Sequence, residues 1–88
     1  MKTKRLEKIT KGFANERRIA ILQLLTRHRD LDVAEIADRL KYGYTSTAMH
    51  LQKMYDAGLI SKEEDGYFVL HRLTSRGRKI AAFLQRLY

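Results

Sequence analysis

Apolar residues recur along this chain in two rhythms, and the order of those rhythms predicts its elements. Leu6 and Ile9 stand three apart among charged neighbours, with Phe13 four further on. That spacing predicts a short amphipathic helix over residues 4–12. Asn15 is placed to cap a second helix, with Glu16 in the first turn, where the helix dipole favours a negative charge. The run Ile19-Ala-Ile-Leu-Gln-Leu-Leu25 is apolar on most sides, as a central helix should be, and it ends near the basic Arg27, His28 and Arg29. Asp32 is the expected cap of a third helix, in which Val33, Ile36, Ala37 and Leu40 make one buried stripe.

A short connection follows, Lys41-Tyr42-Gly43-Tyr44, holding the glycine that a tight turn between helices favours. Thr45, Ser46 and Thr47 bring hydroxyls to the start of the next helix, where they are expected to satisfy its free amides. Thr47 or Ala48, with Leu51, Met54 and Tyr55, is its expected inward face, and Gly58 its stop. The rhythm then changes. Two strand-like runs, residues 59–64 and 67–73, flank Asp65-Gly66, a strong hairpin signal. Thr74 or Ser75 caps a last helix, whose Ile80, Phe83, Leu84 and Leu87 again fall on one side. The order predicts a mainly α fold with a small β-hairpin (α+β). Helix, tight turn, helix and hairpin together make a winged helix-turn-helix, whose second helix enters a major groove about 12 Å wide.

Composition narrows the picture. The 88 residues suit one domain over residues 1–88, and so small a domain buries little surface alone, which favours an oligomer. No cysteine is present, so disulfides and thiolate metal sites are excluded. No apolar run is long enough for a membrane span, and the cytoplasm is the simplest expected address. The net charge of +8 is unevenly spread. Residues 1–12 hold five basic side chains and one acid, residues 73–88 hold four basic and no acid, and the stretch between is neutral. Basic ends suit a polyanionic partner through counterion release. A merely well-solvated surface is the plainer reading of the same charges.

The residues also resemble a family, the ArsR-like (arsenic-repressor type) winged-helix regulators. Phe13-Ala-Asn-Glu-Arg-Arg-Ile-Ala-Ile-Leu-Gln-Leu-Leu25 is similar to the family's opening run, in which an arginine precedes an Ile-Leu-x-x-Leu helix. Leu31-Asp-Val-Ala-Glu-Ile-Ala-Asp-Arg-Leu40 resembles its bracing helix. Residues 45–60, with His50-Leu51 and the closing Ala57-Gly58-Leu59-Ile60, resemble its recognition helix. Leu73-Thr-Ser-Arg-Gly-Arg78 is closer to the close of the wing in other winged-helix repressors, and the resemblance spans residues 13–78. It implies binding to double-stranded DNA and regulation of transcription, with contacts from Tyr44, Thr45, Ser46, Ala48, Met49 and Lys53. Helical geometry separately turns residues 45, 49, 52 and 53 away from Leu51 and Met54. Met49 then either meets a thymine methyl or is simply exposed; Tyr44 either contacts a phosphate or packs beneath the turn. His50 holds the family's histidine position and is expected to be structural.

Three departures qualify the resemblance. Glu63, Glu64 and Asp65 make an acidic wing, so Lys62 and Arg72 nearer its base are better phosphate candidates than the apex. Metal-sensing members carry two cysteines where this chain has Asp32 and Ala34, and the last helix has no His, Asp or Glu. Neither metal nor cofactor is therefore expected, and no catalytic constellation is visible, so an enzyme is not expected. Finally, Leu6, Ile9, Ile80, Phe83, Leu84 and Leu87 exceed the needs of a small core, so helices 4–12 and 75–88 are the expected interface of a homodimer. Folding back onto their own domain is the alternative. The expected function is a sequence-specific, homodimeric regulator, a repressor without metal sensing. A winged-helix protein-interaction module of the transcription machinery and a non-specific nucleic-acid binder are the competing readings.

Overall fold

The computed structural model describes residues 2–88, which form α1 (Thr3–Phe13), α2 (Glu16–Arg27), α3 (Val33–Leu40), α4 (Tyr44–Asp56), β1 (Ile60–Asp65), β2 (Phe68–Leu73) and α5 (Ser75–Gln85). It is a five-helix α+β fold carrying a two-stranded antiparallel hairpin. Local caps begin α2, α3 and α5 where the sequence places them. The Asn15 side chain accepts from the Arg17 and Arg18 amides. Asp32 and Glu35 form a reciprocal capping box, satisfying two otherwise free donors. Between the two possible caps of α5, Thr74 is the one used, its hydroxyl accepting from Gly77 N at 3.1 Å.

The core lies around α2, with Ile21, Leu22 and Leu25 meeting Ile36, Leu51, Met54, Leu59 and Leu73. The first turn of α5 crosses it closely: a Cβ on Gly77 would lie 2.1 Å from the Leu59 carbonyl oxygen, so only glycine fits there. Beside the hairpin, Leu31 forms a one-residue antiparallel bridge to His71. Its carbonyl accepts from His71 N at 2.8 Å, and His71 O accepts from Leu31 N at 3.3 Å and Asp30 N at 3.0 Å. This third-strand stub ties the wing base to the entrance of α3.

Several expectations are corrected. In the turn between α3 and α4, Lys41 takes the left-handed position that ends α3 (φ 61°), its amide donating to Ala37 and Asp38 carbonyls. Gly43 is instead the extended N-cap of α4, and its carbonyl receives the Thr47 amide at 3.1 Å and the Thr47 hydroxyl at 2.7 Å. The Ser46 hydroxyl donates to the same oxygen at 3.2 Å. These hydroxyls therefore point back at a carbonyl rather than capping amides, because Oγ in a helix reaches the preceding turn's C=O. Tyr55, expected on the inward face, is instead exposed, with the Lys62 ammonium 4.6 Å over its ring. The hairpin turn is Gly66-Tyr67, not Asp65-Gly66: Asp65 still pairs with Phe68, and only Gly66 has positive φ (65°). A two-residue turn opening on glycine matches the twist of the strands. The last helix ends at Gln85, leaving Leu87 outside it.

Candidate nucleic-acid interface

The site is built on α4, whose two sides differ in kind. Thr47, Leu51 and Met54 are buried and lock the helix onto the core. Thr45, Met49, Gln52 and Lys53 are exposed on the opposite side, Met49 by 61%. Ser46 and Ala48 are half-buried at the margins. Burying two turns of one face fixes the azimuth of the helix, so its outer side chains form a set surface rather than a mobile one. Tyr44 is 60% exposed, so it does not pack beneath the turn. It borders a groove shared with Val33 and Ala34 of α3 and with Tyr67, Phe68 and Val69 of the wing.

Two adjacent arginines hold α4 in place, and the sequence signalled them only as part of the opening run. Arg18 is buried, donating to Lys11 O at 3.0 Å and meeting His50 Nδ1 at 2.9 Å, so it joins α1, α2 and α4. A guanidinium only donates, so His50 Nδ1 must accept and the ring is neutral. Burial, then Arg18, Arg17 and Lys53, push the His50 pKa below its ordinary 6.5. Arg17 lies 4.3 Å over the Tyr42 ring, clamping the turn between α3 and α4. His50 thus has the structural place expected of it.

The wing is anchored at its base and exposed towards its tip. His71 is buried and donates through Nδ1 to Leu31 O at 2.9 Å; desolvation lowers its pKa from 6.5, opposed by that bond. Arg72 ion-pairs Asp30 at 2.7 Å and Glu63 at 3.6 Å, so its charge is already met. Lys62 donates to Gln52 Oε1 at 2.8 Å while covering Tyr55, bracing the wing against the C-terminal half of α4. Both expected phosphate contacts on the wing are therefore engaged within the protein, whereas Lys53 forms no ion pair among the described residues. The fully exposed Tyr67, with Phe68 beside it, escaped the sequence reading because strand patterning does not say which residues form the turn.

Basic residues of α1, and Arg76 of α5, lie beside the C-terminal half of α4. Lys8 and Lys11 of α1 line one groove with Lys53, together with Glu7 and Asp56. Arg5 and Lys8 meet Arg76 of α5 around Asp56 and Ala57, and Arg76 donates to Ala57 O at 3.2 Å. Cations gathered at the C-terminal end of a helix are favoured by its dipole. Of the terminal apolar residues, Leu6, Phe83 and Leu87 are exposed, while Ile9, Ile80 and Leu84 pack partly on the core. The one-sided pattern read from sequence is thus divided between the chain's own core and its surface. Among the described residues no group of three or more His, Asp or Glu is placed to hold a metal, and no helix is long and apolar enough to cross a membrane.

Comparison with known proteins agrees with this geometry. No curated protein sequence matches the chain. Among solved structures, the homodimeric winged helix-turn-helix DNA-binding domain (fragment 1–100) of Mb0332 from Mycobacterium bovis, a possible ArsR-family transcriptional regulator, superposes with a TM-score of 0.86. It is 25% identical, over 94% of this chain and 77% of that one. HlyU from Vibrio cholerae matches at 0.86 and 27% identity, over 100% of this chain and 98% of that one. NolR from Sinorhizobium fredii shares the fold, at 0.87 and 21% identity over 98% and 86%. The profile of the bacterial regulatory proteins of the arsR family matches residues 15–62. Since that match spans more than half of its residues, the chain belongs to the ArsR family of winged helix-turn-helix, DNA-binding transcriptional regulators.

Proposed function

We propose that this regulator is a homodimeric repressor that reads a two-fold operator through α4 and acts without sensing a metal. The observation that carries the reading is the division of α4: a buried underside at Thr47, Leu51 and Met54, and an exposed upper side at Tyr44, Thr45, Met49 and Lys53. In this reading Ser46 and Ala48 lie at the edge of the contact, Met49 meets a thymine methyl, and Lys53 meets a phosphate. Arg5, Lys8 and Lys11 of α1 add backbone affinity beside it, while Lys62 and Arg72 brace the wing first and contact DNA second.

Dimerisation through α1 and α5 is supported by the exposed Leu6, Phe83 and Leu87. A two-fold axis there would set two copies of α4 one helical turn, about 34 Å, apart. Repression follows from occlusion of the operator. Independence from metal is supported by the donor chemistry: no cysteine is present, and Asp32 is committed to its capping box. The cytoplasm is the compartment this reading requires, and no enzymatic step enters it. The test is binding to a selected duplex across a salt series. Several phosphate contacts give a steep negative log–log slope, and a flat slope rejects the reading.

A second reading, docking of the wing onto another protein, is favoured by one feature. The acids Glu63, Glu64 and Asp65 lie next to the exposed Tyr67, Phe68 and Val69, a surface that suits a basic, apolar partner better than a phosphate backbone. Retained partner binding in Lys53→Glu, with no duplex affinity at any salt, would select it.

A further inference from the structure

At the base of the wing, away from the exposed side of α4, a cleft of 370 Å³ is lined by Leu25, Thr26, Arg29, Arg72, Leu73 and Arg78. Its three arginines come from three places: the loop after α2, strand β2 and the first turns of α5. Its floor is apolar, since Leu25 and Leu73 are buried core residues. No acid lines it among the described residues.

The charges are not balanced from within. Arg72 spends Nε and one Nη on Asp30, at 2.8 and 2.7 Å, with Glu63 beyond at 3.6 Å. Arg78 donates one Nη to Leu73 O at 3.0 Å, which fixes its stem but supplies no counter-charge. Arg29 forms no ion pair among the described residues. Two arginines without an ion pair, Arg29 and Arg78, therefore line one cavity with the acid-paired Arg72. Such groups repel one another unless an anion sits between them, and the planar fork of arginine fits an oxyanion with two parallel hydrogen bonds. The volume falls in the range of small-molecule sites, roughly 300–1,000 Å³, more than a bare inorganic ion needs.

We propose that this cleft binds a small organic anion, a phosphate or carboxylate held by Arg29 and Arg78 beside the acid-paired Arg72, with its apolar part against Leu25 and Leu73. The site is independent of the operator reading, because its binding is measured on the protein without DNA. Through Arg72 it touches the wing, which the same residue ties to Asp30.

Calorimetric titration of the full chain, at constant ionic strength in chloride, tests it with phenyl phosphate, benzoate and inorganic phosphate. The proposal predicts saturable 1:1 binding of phenyl phosphate, tighter than inorganic phosphate, and at least about tenfold weaker binding in the double variant R29Q/R78Q. Both substituted residues are exposed, so far-UV circular dichroism should be unchanged. If the double variant does not fold, R29Q and R78Q singly must each weaken binding. Equal binding by wild type and variants, or no saturable binding of any probe, overturns the proposal. A third result also overturns it, in favour of DNA backbone phosphate as the occupant: no binding by the free protein, with R29Q/R78Q lowering duplex affinity and flattening its salt slope.

Discussion

Helix α4 and the wing are the two parts of this fold that reach outward from the core, and they are held by opposite designs. The helix is divided by face, with Thr47, Leu51 and Met54 buried along its whole length and Thr45, Met49 and Lys53 exposed along the same length. The wing is divided by length: Ile60, His71 and Leu73 are buried at its base, and exposure rises on both strands towards Gly66-Tyr67. A face-divided element keeps its outer side chains in register with the core, which is what base-edge recognition needs. A length-divided element fixes only its root, so its tip can tolerate sequence that is unsuited to DNA, such as Glu63, Glu64 and Asp65. The comparison therefore predicts that stability and recognition separate by side of the helix, and by distance along the wing.

The largest effect is expected on the buried side of the helix. Leu51, 1% exposed, should cost about 3 kcal/mol when changed to alanine, read from urea unfolding. Met49→Ala on the opposite side should change stability by less than about 0.5 kcal/mol. It should nevertheless relax operator discrimination by about 1 kcal/mol or more, measured as competition between selected and scrambled duplexes. If Met49→Ala destabilises as much as Leu51→Ala, the division by face is wrong. Lys53→Gln should weaken all duplexes alike and lower the salt slope by about one.

A pH series sharpens the comparison, because each element is anchored by one neutral histidine. His50 under α4 accepts from Arg18, and His71 at the wing base donates to Leu31 O. Both have folded pKa values below the ordinary 6.5, so the unfolded chain takes up these protons first as pH falls. Their stabilising contribution is complete above about pH 6.5 and is lost progressively below it. His50→Gln should reduce that acid sensitivity, since glutamine can still accept from Arg18 and does not titrate. The smallest effect is expected at the wing tip: Tyr67→Ser should leave the unfolding free energy within about 0.5 kcal/mol of wild type.

Sequence revealed this fold where the deciding interaction is local. The caps at Asn15 and Asp32, the stop at Gly58 and the stripes of α3 and α4 all depend on residues within a turn or two. It failed where two local solutions compete or where partners lie far apart. Gly43 was legible as part of the turn, but not that Lys41 takes its left-handed position or that Gly43 O receives three donors from Ser46 and Thr47. The Leu31–His71 bridge joins residues 40 apart through a single pair, too little for any pattern to announce. Periodicity grouped Ile80 and Leu84 with Phe83 and Leu87, since apolar spacing cannot distinguish a chain's own core from a free surface. At the candidate site, exposure of Met49 and Lys53 was legible from helical geometry. The prior engagement of Lys62 and Arg72 was not, because it depends on Gln52 and Asp30 in other elements.

In the proposed mode of binding the exposed side of α4 reads sequence, while Lys8, Lys11 and Lys53, which line one groove, supply affinity. Selection of bound duplexes from a random library tests it most directly. An enriched site with two-fold symmetry and half-sites one helical turn apart is expected, with weaker enrichment at both half-sites when Met49→Ala is used. Recovery of unenriched sequences by the wild-type chain, bound with the same affinity as the starting library, would contradict it.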